Sequence, residues 1–163
     1  MRCRVYPVMQ PEMTKLCRRV YPGHPRGCPN YGIKPGCPPT APMYDSVYNL
    51  RDLERPVIAI INWFDLTQHV ARMRERHPDW SERQLYCCLY WQKGARRDLK
   101  REVDEFLETR PAYRAEFTPE AMGVNVTATL KAAGIVLEWP PRKRAAQVAL
   151  AGIPLDRKKV RHL

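Results

Sequence analysis

Three cysteines, Cys17, Cys28 and Cys37, fall in one stretch that also holds six prolines and four glycines between Cys17 and Pro39. Thiolates are soft ligands that suit iron–sulfur clusters and zinc. The intervals are ten residues between Cys17 and Cys28 and eight between Cys28 and Cys37. Neither is the Cys-x-x-Cys pair of a structural zinc knuckle. Wide spacing through rigid turns suits a cluster, whose irons stand farther apart than the ligands of one zinc ion. The pattern therefore points to a [4Fe–4S] centre on Cys17, Cys28 and Cys37. Prolines follow Cys28 and Cys37, as in the Cys-Pro ending of some ferredoxin motifs. Proline sets the exit direction of the chain and removes an amide donor beside the sulfur. Such a stretch forms neither helix nor ordinary strand, so a metal centre is expected to hold it still.

The fourth ligand has several candidates. His24 lies between the first two cysteines, and Cys17, His24, Cys28 and Cys37 together would make a three-cysteine, one-histidine zinc site. The plain alternative for His24 is a solvent-exposed turn residue. Cys3 is near in sequence and reads as incidental. Cys87 and Cys88 fall in a predicted helix, where successive residues point about 100° apart and do not chelate as a pair. Cys88 lies on the apolar face and reads as core, whereas Cys87 lies off it and is the better distant ligand. Three protein ligands would leave one iron open for Lewis-acid or sulfur chemistry. Four would favour electron transfer or a structural role.

The elements that must position these residues follow from the pattern. Residues 1–45 hold nine of the sixteen prolines and are dominated by turns, with a short strand at Arg4–Tyr6 and a turn or two of helix over Glu12–Arg19 leading into Cys17. Val57–Phe64 is β-branched and continuous, a buried strand. Asp65 caps a helix to about Arg76. Ser81 and Gln84 make a capping box for one long helix to about Glu108, weakened at Gly94. Pro119–Gly123 is a helical turn with a glycine stop. Asn125 caps a helix ending at Gly134. Ile135–Trp139 reads as a strand stopped by Pro140 and Pro141, with Trp139 as core or a strand-end anchor, and Ala146–Leu150 as a last strand. Strands alternate with helices, so an α/β or α+β domain with a small sheet is expected, spanning 1–155 with a basic tail at 156–163.

The chain has 163 residues, 44% of them hydrophobic, with a net charge of +11. That length is enough for one domain with a real core. No apolar run reaches the roughly 18–20 residues of a membrane span, and no signal peptide is evident. The expected compartment is the cytoplasm, where thiols stay reduced and clustered cysteines read as ligands rather than disulfides. An even count of six cysteines keeps a disulfide framework as the lesser alternative. Positive charge concentrates after Arg142. This is a possible footprint for nucleic acid or an acidic protein, or simply a solvated terminus. The alternative function is thus a zinc-stapled nucleic-acid-binding module using the tail. No phosphate-binding glycine loop, nucleophile elbow or His-Glu-x-x-His motif occurs.

Two blocks together resemble a known pattern. Cys28-Pro-Asn-Tyr-Gly-Ile-Lys-Pro-Gly-Cys37-Pro-Pro resembles the cysteine signature of an uncharacterised family of predicted metal-binding proteins. Glu120-Ala-Met-Gly-Val-Asn-Val-Thr-Ala-Thr-Leu-Lys-Ala-Ala-Gly134 resembles that family's C-terminal block. The two cover about a quarter of the chain, in the family's order. The resemblance implies a cysteine-ligated, iron–sulfur type of centre at Cys17, Cys28 and Cys37, with an unidentified redox or protein partner. The family's middle cysteine group is reduced here to Cys87 and Cys88, which argues against a second cluster. Glu120 and Asn125 become functional candidates, with helix capping and first-turn electrostatics as the structural alternative. Tyr31 and Tyr44 flank the cysteine loop as shields for the centre, or as ordinary packing.

Overall fold

Val57 to Phe64 offers an apolar side chain at nearly every position, so this segment must be covered on both faces. In the computed structural model, which describes residues 1–21 and 24–156, it forms strand β2 (Ile58–Asp65) near the middle of a four-stranded sheet. The others are β1 (Arg2–Arg4), β3 (Arg114–Glu116) and β4 (Arg144–Gly152), in the order β1-β2-β4-β3. All neighbours are antiparallel, with Ile60 opposite Ala149 and Trp63 opposite Ala146. The protein is therefore α+β.

Pleating sends alternate residues of β2 to opposite faces. On one face Ala59 and Ile61 join Leu150, Tyr44, Tyr48, Val124 and Leu130 in the largest core cluster. On the other, Ile60 with Ala149 and Ala151 meets Leu99, Val103 and Phe106 of helix α3 (Gln92–Thr109). Helix α1 (Leu66–Arg76) starts directly from β2, with the Asp65 carboxylate accepting the Gln68 N–H at 2.9 Å. The short α2 (Glu82–Leu85) carries the expected Ser81–Gln84 capping box. Helix α4 (Val126–Ala132) is capped by Asn125 and closed by left-handed Gly134.

Three expectations need correction. The helix from Ser81 to Glu108 is broken: α2 ends at Leu85, a 3-10 turn covers Cys88–Tyr90, and α3 begins at Gln92. The break lies in a run of aromatic residues with poor helix propensity. It lets Trp91 bury against Phe64, ring centres 5.1 Å apart, and donate from Nε1 to the Tyr86 carbonyl at 3.4 Å. Cys87 and Cys88 thus lie in a helix break, and Leu89 beside them is exposed. Secondly, Ile135–Trp139 is no strand. Ile135 and Leu137 pack on the core, but Glu138 accepts the Lys143 N–H at 3.0 Å, and two prolines without donors complete the turn. Trp139 is 72% exposed rather than core or anchor. Thirdly, β3 was not expected; at three residues it is too short to declare itself by alternation.

No helix among the described residues is long and apolar enough to cross a membrane. The expected basic tail lies outside the described residues beyond Asp156.

Two outcomes test this packing. A Cβ on Gly152 would lie 2.9 Å from Tyr48 Cδ1 and 3.0 Å from the Tyr44 hydroxyl. Gly152→Ala should therefore cost about 1–3 kcal/mol in urea denaturation. His69 is buried against Phe64, and its Nε2 has no hydrogen-bond partner among the described residues. Burial, aided by Arg72, holds its pKa below the ordinary histidine value. The unfolded chain therefore takes up this proton at higher pH than the folded protein, and stability falls as pH drops below about 6.5. The fall levels off below the folded-state pKa. His69→Phe should flatten the stability loss between about pH 7.5 and about pH 5; an unchanged slope would contradict the assignment.

Candidate metal centre

The cysteine stretch is a series of tight turns that fasten to one another. A 3-10 helix over Pro11–Arg18 carries Cys17 in its last turn. Tyr21 and His24 exchange backbone hydrogen bonds, the His24 N–H donating to the Tyr21 carbonyl at 2.9 Å. The Gly27 N–H then donates to His24, and the Cys28 N–H donates to the Cys17 carbonyl at 2.8 Å. Gly27 has φ +83°, and a Cβ there would lie 2.8 Å from the Cys17 carbonyl oxygen. Only glycine lets the two backbones meet so closely in that conformation. Beyond Cys28, the Gly32 N–H donates to Pro38, Cys37 to Lys34, and Ala41 to Cys37. The stretch therefore has a framework of backbone turns of its own, in addition to the hold expected from a metal centre.

The Cys17 thiol lies within charge range of both Cys28 and Cys37. Burial raises the Cys17 pKa most, and the charges of Cys28, Cys37 and Glu120 raise it further. All three thiols are partly buried. Burial first, and then the nearby Cys28 thiol, pushes the Tyr21 phenol pKa up. Beside the loop lies a cleft of ≈ 610 Å³ whose rim includes Lys15, Arg18 and Tyr31.

Glu120 reaches this place because the segment that leads into the Cys17 helix is laced to the Glu120–Gly134 block. Gln10 N–H donates to the Gly123 carbonyl at 2.7 Å, Asn125 N–H to Val8 at 2.8 Å, and Val8 N–H to Thr129 Oγ1 at 2.9 Å. The 3-10 turn Pro119–Met122 ends in left-handed Gly123, where a Cβ would lie 2.7 Å from Met43 Sδ. This turn packs on the Pro11–Arg18 helix and brings Glu120 toward Cys17. Burial raises the Glu120 pKa. Asn125 caps α4 through Oδ1 and donates from Nδ2 to Gln10 Oε1 at 2.8 Å, a structural role.

The other candidates are placed elsewhere. The His24 ring lies against Tyr21, centres 4.7 Å apart. Cys3 sits in β1 opposite Ala59. Tyr44 is fully buried, stacked on Tyr48 in the sheet core, and does not shield the loop. Tyr31 does border it. Cys87 and Cys88 line a separate, larger cleft, though Arg96 lies within charge range of both Cys88 and Tyr21. All six cysteines are free thiols, so the disulfide framework is absent. Among the described residues, no three His, Cys, Asp or Glu side chains are gathered tightly enough to hold a single metal ion. Sequence reasoning missed Tyr21, whose only signal was its position four residues after Cys17.

Gly27 and Gly36 provide a matched test. Both have positive φ, but a Cβ on Gly36 meets nothing within 4 Å. Gly27→Ala should loosen the Cys17–Cys28 contact and speed iodoacetamide alkylation of both thiols in the metal-free protein. Gly36→Ala carries the same backbone penalty without the clash and should leave those rates near wild type. Equal effects would mean that the close approach is unimportant.

No family model, curated protein or solved structure matches the chain, so the resemblance to the predicted metal-binding family rests on its two sequence blocks.

Proposed function

We propose that the chain binds an iron–sulfur cluster through Cys17, Cys28 and Cys37 and works as a redox or cluster-chemistry protein of the reducing cytoplasm. What carries this reading is the convergence of the loop on Cys17: the Cys28 N–H donates to the Cys17 carbonyl at 2.8 Å, and the Cys28 and Cys37 thiols both lie within charge range of Cys17. The donor set suits iron and sulfide in kind. The thiols are not drawn together as for one ion among the described residues. A zinc site, with Zn–S bonds of about 2.3 Å, would need more contraction than a cluster whose thiolates go to separate irons. When bound, such a cluster supplies one-electron transfer, or an open iron site where protein ligands number only three.

The surrounding residues have definable work. The Tyr21 hydroxyl lies within charge range of Cys28 and Cys17 and borders the proposed centre. The Glu120 carboxyl keeps its proton to higher pH than an exposed glutamate and stands beside Cys17 as a proton donor or acceptor.

Purified or reconstituted without oxygen, the full chain should be brown and contain about four irons and four sulfides. Serine at Cys17, Cys28 or Cys37 should reduce cluster content severely, while His24→Ala should leave it unchanged. Cys87→Ser separates a fourth thiolate from an open iron: a changed spectrum indicates the first and an unchanged one the second. A colourless protein with one zinc, lost in His24→Ala, would overturn the proposal.

A further inference from the structure

The β4 strand is paired on one side with β2 from Arg144 to Ala151, but on the other side β3 reaches only Leu150, Ala151 and Gly152. After Glu116 the chain leaves the sheet, and Phe117 is exposed. Residues 144–149 thus form a free edge among the described residues. At about 3.4 Å per residue this edge is roughly 20 Å long. A cleft of ≈ 740 Å³ is lined by Ala145, Ala146 and Gln147 of this edge. Its remaining walls come from both faces of the sheet. Trp63 and Leu137 pack with Ala146 on one face, whereas Trp91 and Cys88 pack with Ala145 on the other. A cleft touching both sets, and little of β2, must wrap around the open side of β4.

Bare edges invite a further strand, and proteins that do not use them usually block them. Here no backbone group outside the sheet is hydrogen-bonded to residues 144–149 among the described residues, and Gln147 Nε2 donates to the Ala146 carbonyl at 3.2 Å. The charge of the cleft is unbalanced. Arg83, Arg142 and Arg144 line it and form no ion pair among the described residues. The guanidiniums of Arg142 and Arg144 rest on the Tyr86 and Trp63 rings, 4.9 Å and 4.0 Å from the centres. The two carboxylates present are engaged elsewhere. Glu82 is paired with Arg74, and Glu138 accepts the Lys143 backbone N–H. Asp65, opposite Arg144 in the sheet, caps α1.

We propose that the free edge of β4 receives an extended acidic segment of a partner protein as an added strand. Its backbone would pair with residues 144–149, its carboxylates would meet Arg83, Arg142 and Arg144, and its apolar side chains would enter between Trp63, Trp91 and Trp139. Strand addition draws affinity from backbone hydrogen bonds and specificity from side-chain pockets. The three cationic groups select against basic segments, including the chain's own Arg157–Arg161 region.

The test is selection of displayed random peptides of about twelve residues on the full chain, followed by synthesis of the enriched sequences. Enrichment of peptides rich in Asp and Glu is expected. Binding should slow amide exchange within residues 144–149 and weaken at least about tenfold in Arg83→Glu/Arg142→Glu, with the melting temperature of the variant confirming its fold. Backbone N-methylation of alternate peptide residues should abolish binding in one of the two possible phases. Failure to enrich any peptide, enrichment of basic or neutral ones, or binding indifferent to N-methylation would overturn the proposal. So would an oligothymidylate strand that binds and is lost in the same variant while acidic peptides do not bind. Iron content plays no part in these readouts, so the cluster reading stands or falls separately.

Discussion

The pairing of β2 with β4 is the constraint on which the other elements depend. Ile58 through Asp65 is hydrogen-bonded along its length to Arg144–Ala151, and both strands present apolar side chains to each face. A pair buried on both sides demands two covers. One is α3, through Leu99, Val103 and Phe106. The other is assembled from pieces too short to stand alone: Tyr44 and Tyr48, Val124, and α4 with Val126 and Leu130. That second cover explains why a proline-rich N-terminal stretch can be ordered without long helices or strands. Its flanks at Val8–Gln10 and Met43–Tyr48 are tied to elements already fixed by the sheet.

The candidate centre inherits its order from this second cover. The backbone from Val8 to Gln10 bonds to Gly123, Asn125 and Thr129, so the 3-10 helix bearing Cys17 and the turn bearing Glu120 are set against one another before any ligand is considered. Within the loop, Gly27 allows the Cys28 amide to reach Cys17. These are short-range backbone contacts, which constrain position more tightly than side-chain packing on a mobile surface. A half-buried carboxyl whose pKa is raised by burial, within charge range of Cys17, is the chemically distinctive feature of this end of the molecule.

The other end is organised by the helix break at 86–91. Had Ser81–Glu108 remained one helix, Trp91 could not stack on Phe64 while bonding the Tyr86 carbonyl. The break also turns Cys87 and Cys88 toward the cleft beside β4. Thus the same local frustration removes the cysteine pair from a regular helix and builds one wall of an aromatic, arginine-lined groove. The short β3 completes that groove by leaving the edge open.

Much was legible in sequence where local chemistry decides. Asp65, Ser81 and Asn125 cap helices because short polar side chains satisfy first-turn amides, whatever the surroundings. The β-branched run at Val57–Ile61 reads as buried strand for the same local reason, and the cysteine and proline spacing marks the loop. The rest required long-range contacts. Nothing within residues 135–139 says that Glu138 will fold back on Lys143 rather than continue a strand, or that Trp139 will be exposed. No local signal joins Glu120 to Cys17 across about a hundred residues, or leaves the β4 edge free. The sequence by itself determined the caps, the buried strand and the chemical character of the thiol loop, because these depend on neighbours a few residues away. Only the tertiary structure decided which blocks meet, where the long helix breaks and which edge stays open, because those depend on how competing apolar surfaces are shared around one sheet.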